Sequence, residues 1–102
     1  MNKNNNMIIK KNLALASENC LKNNFEVAKD LYNQILEVDP SHLQALNNLG
    51  VVFQELGKYQ KAIRCYEKVI EINPNHLQAL NNLGVIFKKL EKYQTAIRCY
   101  EK

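Results

Sequence analysis

Two asparagine pairs are the residues best equipped to do chemistry in this sequence. Asn47-Asn48 and Asn81-Asn82 stand 34 residues apart in the same surroundings, LQALNNLGV. An asparagine side chain carries both a donor and an acceptor, so it can pair with both polar groups of a peptide unit. It is also a mediocre helix former, because that side chain competes for backbone hydrogen bonds. Two in succession, repeated one unit later, point to recognition: a row of such amides would hold an extended chain by its backbone, with weak sequence preference. Recent duplication within an asparagine-rich sequence, already visible from Asn2 to Asn6, would leave the same pattern.

The other reactive residue types lead elsewhere. Cysteine is odd in number, at Cys20, Cys65 and Cys99, and no CxxC or Cys/His pair has metal-ligand spacing. Reduced thiols in a cytoplasmic compartment are the expected state. His42 and His76 repeat each other in a turn and do not converge with a cysteine in sequence. No glycine-rich phosphate loop, nucleophile motif or convergent carboxylate pair is present, and Glu67 and Glu101 sit beside Lys68 and Lys102 as exposed helix charges. The sequence therefore predicts no catalysis, no metal and no cofactor.

Composition sets the remaining bounds. A hydrophobic share of 46% with 24% charged residues is that of a folded domain, not of a disordered chain. Net charge is +4, but the lysines are spread along the chain and no known nucleic-acid motif accompanies them. They read as solvated helix faces, so no nucleic-acid partner is expected. No apolar run approaches membrane-spanning length, and MNKNNNMIIKKN lacks the apolar core of a signal peptide, so no membrane partner is expected either.

The elements that position the asparagines follow from a repeat. Leu43 to Lys68 and Leu77 to Lys102 differ only at Val52/Ile86, Gln54/Lys88, Glu55/Lys89, Gly57/Glu91 and Lys61/Thr95. A period of 34 residues means one supersecondary unit stacked on itself. Residues 1–7 read as a disordered, asparagine-rich lead-in and 8–102 as the repeat domain, with units at about 9–42, 43–76 and a truncated 77–102. In the first unit, Ile8, Ile9, Leu13, Ala16, Cys20 and Leu21 have helical spacing, Asn23-Asn24 breaks it, and Phe25, Ala28, Leu31, Tyr32, Ile35 and Leu36 start again. Pro40 and Pro74 end the second helices. Ser41 with Gln44, and Asn75 with Gln78, have capping-box spacing at the next helix starts. Six helices in three antiparallel hairpins are expected, with no strand. In the third unit Leu80, Leu83, Gly84, Phe87, Leu90, Tyr93, Ala96, Ile97 and Tyr100 are expected to face inward.

Small residues mark where helices approach. Gly50 and Gly84 lie inside helices, where glycine costs about 0.5–1 kcal/mol relative to alanine. Ala16 holds the same place in the first unit, and Ala28, Ala62 and Ala96 form a matching series on the partner helices. Phe25, Tyr59 and Tyr93 fill the space beside them as core packing, in preference to a stacking platform for bases. Glu91 replaces Gly57 in the turn, at a cost of about 1 kcal/mol if that site is left-handed.

The pattern Leu49-Gly50, Phe53, Gly57, Tyr59, Ala62, Tyr66, Pro74 resembles the tetratricopeptide repeat. Leu15-Ala16, Phe25, Ala28, Tyr32, Pro40 is a more divergent copy, and Leu83-Gly84, Phe87, Tyr93, Ala96, Tyr100 a third. The resemblance implies an all-α, right-handed superhelical solenoid of antiparallel helix hairpins. It implies a protein or peptide ligand held in a concave groove lined by the first helix of each unit. Unit one would contribute Lys10, Leu13, Ala14 and Ser17; unit two Gln44, Asn47, Asn48 and Val51; unit three Gln78, Asn81, Asn82 and Val85. Asn48 and Asn82 resemble the asparagine ladder in the tetratricopeptide superhelix of O-linked N-acetylglucosamine transferase, with Ala14 where a further rung would be. The family's carboxylate clamp for acidic C-termini is not matched: Asn48 fits, but Leu13, Ser17, Gln78 and Asn82 stand where its other polar and cationic groups are needed.

The third unit stops inside its second helix without the polar terminal cap that a solenoid normally needs. Ile97 and Tyr100 are therefore expected to be incompletely covered. Either a longer array continues from here, or the exposed terminal helix pairs with another copy to give a homo-oligomer, the basis of an alternative role as a self-associating scaffold.

Overall fold

The computed structural model describes residues 3–101, with side chains up to Cys99. Met1, Asn2 and Lys102, and the expected inward placement of Tyr100, lie outside the described residues. Five helices follow in order: α1 Lys3–Leu21, α2 Phe25–Val38, α3 Leu43–Glu55, α4 Tyr59–Ile72 and α5 Leu77–Glu101. The described residues contain no strand. α1 starts at Lys3, so residues 3–7, expected as a lead-in, are helical.

Connections of three or four residues force sequential helices to be antiparallel neighbours. Each helix packs on the next, and α3 also touches α5. The result is a helical repeat solenoid, 60 × 31 × 18 Å in extent. The small residues sit at the closest approaches: Ala16, Ala28 and Ala62 are wholly buried, as are the aliphatic side chains of Ile35 and Val69. Burying the polar Asn12 requires a partner, and its Nδ2 donates to Gln34 Oε1 across α1 and α2 at 3.0 Å.

Two turns are left-handed at one residue. Asn23 has φ +61° and Gly57 has φ +75°. They occupy equivalent repeat positions and are residues that tolerate this region, glycine without a Cβ penalty and asparagine through its short polar side chain. The third equivalent is Glu91, and there the expected turn does not form. α5 continues through Glu91 as one helix of 25 residues, about 37 Å long. The described residues thus form five helices instead of six. Without the reversal, the second half of unit three never folds onto its first half. Leu80, Gly84, Phe87, Tyr93, Ala96 and Ile97, expected inward, are exposed, and so is every described side chain after Leu90.

Histidines cap the helices where serine and asparagine were expected. His42 Nδ1 accepts from Ala45 N at 3.1 Å at the start of α3. His76 Nδ1 accepts from Ala79 N at 3.2 Å at the start of α5. The imidazole thus does the work usually assigned to a short oxygen side chain. Ser41 and Asn75 lie one residue too early for it.

Candidate functional site

A hollow of about 320 Å³ opens between α1 and α3 with α2 behind it. Ser17, Cys20 and Leu21 line it from α1, Tyr32 from α2, and Asn48 and Val51 from α3. Helix periodicity explains the set: residues three or four apart share a face, so Ser17 pairs with Leu21 and Asn48 with Val51. Tyr32 is almost wholly buried, and its phenol lies beside Ser17, Asn48 and Cys20. Burial pushes the phenol pKa up, while hydrogen bonding from Ser17 and Asn48 pulls it back. Burial also raises the Cys20 thiol. The hollow therefore offers neutral groups: hydroxyl, amide and thiol around an apolar wall.

The second unit gives its equivalent tyrosine a different partner. Tyr66 takes the place of Tyr32, and its hydroxyl donates to Gln54 Oε1. Gln54 stands at the repeat position of Cys20. Both reach their phenol, Gln54 with a long amide and Cys20 with a short thiol. Burial raises the Tyr66 phenol, and raises Cys65 to about 11.

The asparagine pairs divide by direction. Adjacent helical residues point about 100° apart, so Asn47 and Asn48 face different neighbours. Asn48 is half-buried on the hollow, with Val51 beside it. Asn47 is 4% exposed and faces α5. Its Nδ2 donates to Gln78 Oε1 at 3.5 Å, and its Oδ1 accepts from Asn82 Nδ2 at 3.3 Å. Asn47, Gln78 and Asn82 thus form an amide clip joining units two and three. Gln44, Asn81 and Val85 are exposed on the helices that carry the pairs.

Of the lining residues, Cys20, Leu21 and Tyr32 were not among those expected to face a groove. Tyr32 reads from sequence as core. Its hydroxyl, which normally finds a partner when buried, was the available signal. No group of three metal-ligating side chains comes together among the described residues, and both turn histidines spend Nδ1 on helix caps.

The Tetratricopeptide repeat family matches at residues 43–76 and again, through a second profile of the same description, at 65–98. Together these span more than half of the sequence, and the α3–α4 hairpin fills the first of them. The chain belongs to the tetratricopeptide repeat family. Solved structures share its fold. The crystal structure of MamA matches with a TM-score of 0.78 at 24% identity, over 91% of this chain and 54% of MamA. The C-terminal TPR-containing domain of a Plasmodium falciparum FK506-binding protein matches with a TM-score of 0.79 at 27% identity, over 89% of this chain and 60% of that one. The first TPR of Spaghetti (RPAP3), solved bound to the HSP90 peptide SRMEEVD, matches with a TM-score of 0.71 at 30% identity, over 74% of this chain and 60% of that one. The chain spans between 54% and 60% of the length of these three. A comparison with curated proteins gave no match. No helix among the described residues is long and apolar enough to cross a membrane.

Proposed function

We propose that this tetratricopeptide chain is a non-catalytic protein–protein interaction module that holds an extended peptide segment along α1, α3 and the first half of α5. The observation that carries this is the hollow between α1 and α3, where the Asn48 amide and Ser17 hydroxyl flank an apolar wall of Leu21 and Val51. An amide there can pair with a peptide unit while a ligand side chain occupies the hollow. The peptide-bound Spaghetti relative supports the class of ligand. Its acidic sequence does not carry over, because Leu13, Ser17, Gln78 and Asn82 offer no cation where an acidic terminus would need one. The preferred ligand is a neutral, extended segment read mainly by its backbone. Three free thiols favour a reducing, cytoplasmic setting.

Selection from a displayed library of unstructured peptides, followed by titration of the enriched peptides, tests this reading. Asn48→Ala removes one peptide-unit pairing worth about 0.5–1.5 kcal/mol, so affinity should fall several-fold, with only a small drop in melting temperature because Ser17 still pairs the Tyr32 phenol. Enriched peptides that bind wild type and Asn48→Ala equally would remove Asn48 from the site and the reading with it.

A further inference from the structure

The two halves of α5 repeat the two helices of unit two. Leu77 to Leu90 carries the residues of α3 and its cap, and Tyr93 onward carries those of α4. In unit two these stretches reverse through Gly57 and close on one another. Phe53 is then 9% exposed and Ile63 8%, against 51% for Phe87 and 55% for Ile97 in α5. Under Gly50 lies the Tyr66 ring; a Cβ on Gly84 would meet nothing within 4 Å. Held in one straight helix, the halves of α5 cannot reach each other. Each presents a face whose complement is the other half.

We infer that α5 is an exchange element, pairing with α5 of a second copy of this chain. The first half of each α5 takes the second half of the other in the place that α4 takes on α3. Two hairpins are rebuilt across a twofold axis, and the same patch serves both copies, as a closed dimer requires. The seam continues an interface the chain already has, since Leu83 and Leu90 pack against the existing core. Glu91 is the hinge: where Gly57 takes φ +75°, glutamate stays helical and keeps the half extended. Stacking α5 against α1 of another copy is disfavoured by charge, because Lys3, Lys10 and Lys11 would meet Lys92 and Arg98 with no acid between them on α1 until Glu18. The pairing is independent of the α1–α3 hollow.

Light scattering on the 102-residue chain across a concentration series decides the matter. The mass should rise from 11.8 kDa towards twice that value. Gly84→Leu fills the face that must accept the partner helix, without a clash in the single chain. It should weaken pairing about tenfold or more with unchanged helix content by circular dichroism. Glu91→Gly permits the internal turn and should give a monomer of higher melting temperature. A wild-type mass that stays at 11.8 kDa, or pairing by either variant as strong as wild type, would overturn the inference.

Discussion

Gly50 lies beneath the ring of Tyr66. A methyl added at Gly50 would stand 2.5 Å from Tyr66 Cε1 and 2.8 Å from Cζ, closer than real Cβ contacts allow. The cost of glycine inside a helix is thus offset by the close packing of the Tyr66 ring of α4 on α3. Gly84 has the same neighbours in sequence and no ring above it. The two glycines should therefore respond in opposite directions. Gly50→Ala should destabilise by about 1–3 kcal/mol through overpacking. Gly84→Ala, measured by urea unfolding at dilution, should stabilise by about 0.5–1 kcal/mol through helix propensity. Leu49→Ala and Leu83→Ala should split in the same way: Leu49 is buried and Leu83 only partly so, and the first should lose about 2–5 kcal/mol and the second clearly less.

The repeat shows how far residue patterns carry. Period, helix positions and the breaks at Asn23-Asn24, Pro40, Gly57 and Pro74 are all legible, because each has a local steric cause. The outcome at Glu91 was not. Its left-handed cost is about 1 kcal/mol, and it competes with burial of an entire hairpin, which residue types alone do not weigh. The caps were misplaced by one residue because histidine's Nδ1 is a rarer capping acceptor than the serine and asparagine beside it. Within the hollow, Asn48 and Val51 were visible as groove residues, whereas Tyr32 was hidden by its own burial, an aromatic ring in the core with a polar atom at its edge.

The left-handed turns give a second test. At Gly57 an added Cβ would meet nothing within 4 Å, so the penalty for Gly57→Ala is purely that of the backbone, about 1 kcal/mol. Asn23→Ala should cost a similar amount. Asn23→Gly should stay within a few tenths of a kcal/mol of wild type. Thermal melts of the three variants check the order.

Removing the histidine caps should cost about 1 kcal/mol each, the usual value for loss of an N-cap acceptor. His42→Ala should act on α3 and lower the melting temperature by roughly 4–8 °C. His42→Asn, which supplies a short acceptor at the same place, should retain most of the stability. A His42→Ala variant that melts with wild type would show that the Ala45 N–H finds water as readily.

Adjacent asparagines should separate stability from binding. Asn47→Ala leaves a buried gap at the seam where Gln78 and Asn82 meet it, and should lower unfolding stability by about 1–3 kcal/mol. Asn48→Ala, on the open hollow, removes one hydrogen-bond partner of the Tyr32 phenol and leaves Ser17, so it should lower the urea midpoint clearly less than Asn47→Ala does. Equal loss from both would mean that Asn48 too is a structural amide.

The buried thiol of unit two predicts a specific alkaline loss of stability. Burial raises Cys65 from 9.0 to about 11, only partly offset by Lys68. A folded pKa above the unfolded one means that the native state holds the proton longer. The contribution is complete below the unfolded value and disappears as pH rises through the folded one. Between pH 9.0 and about 11 the chain should therefore lose stability, by about 1–2 kcal/mol once solvent access to a half-buried thiol is allowed for. Cys65→Ala should flatten that limb in urea titrations. The Tyr66 phenol, also raised by burial, should leave a residual decline at higher pH in the variant. An alkaline limb identical in wild type and Cys65→Ala would assign the whole loss to the tyrosines.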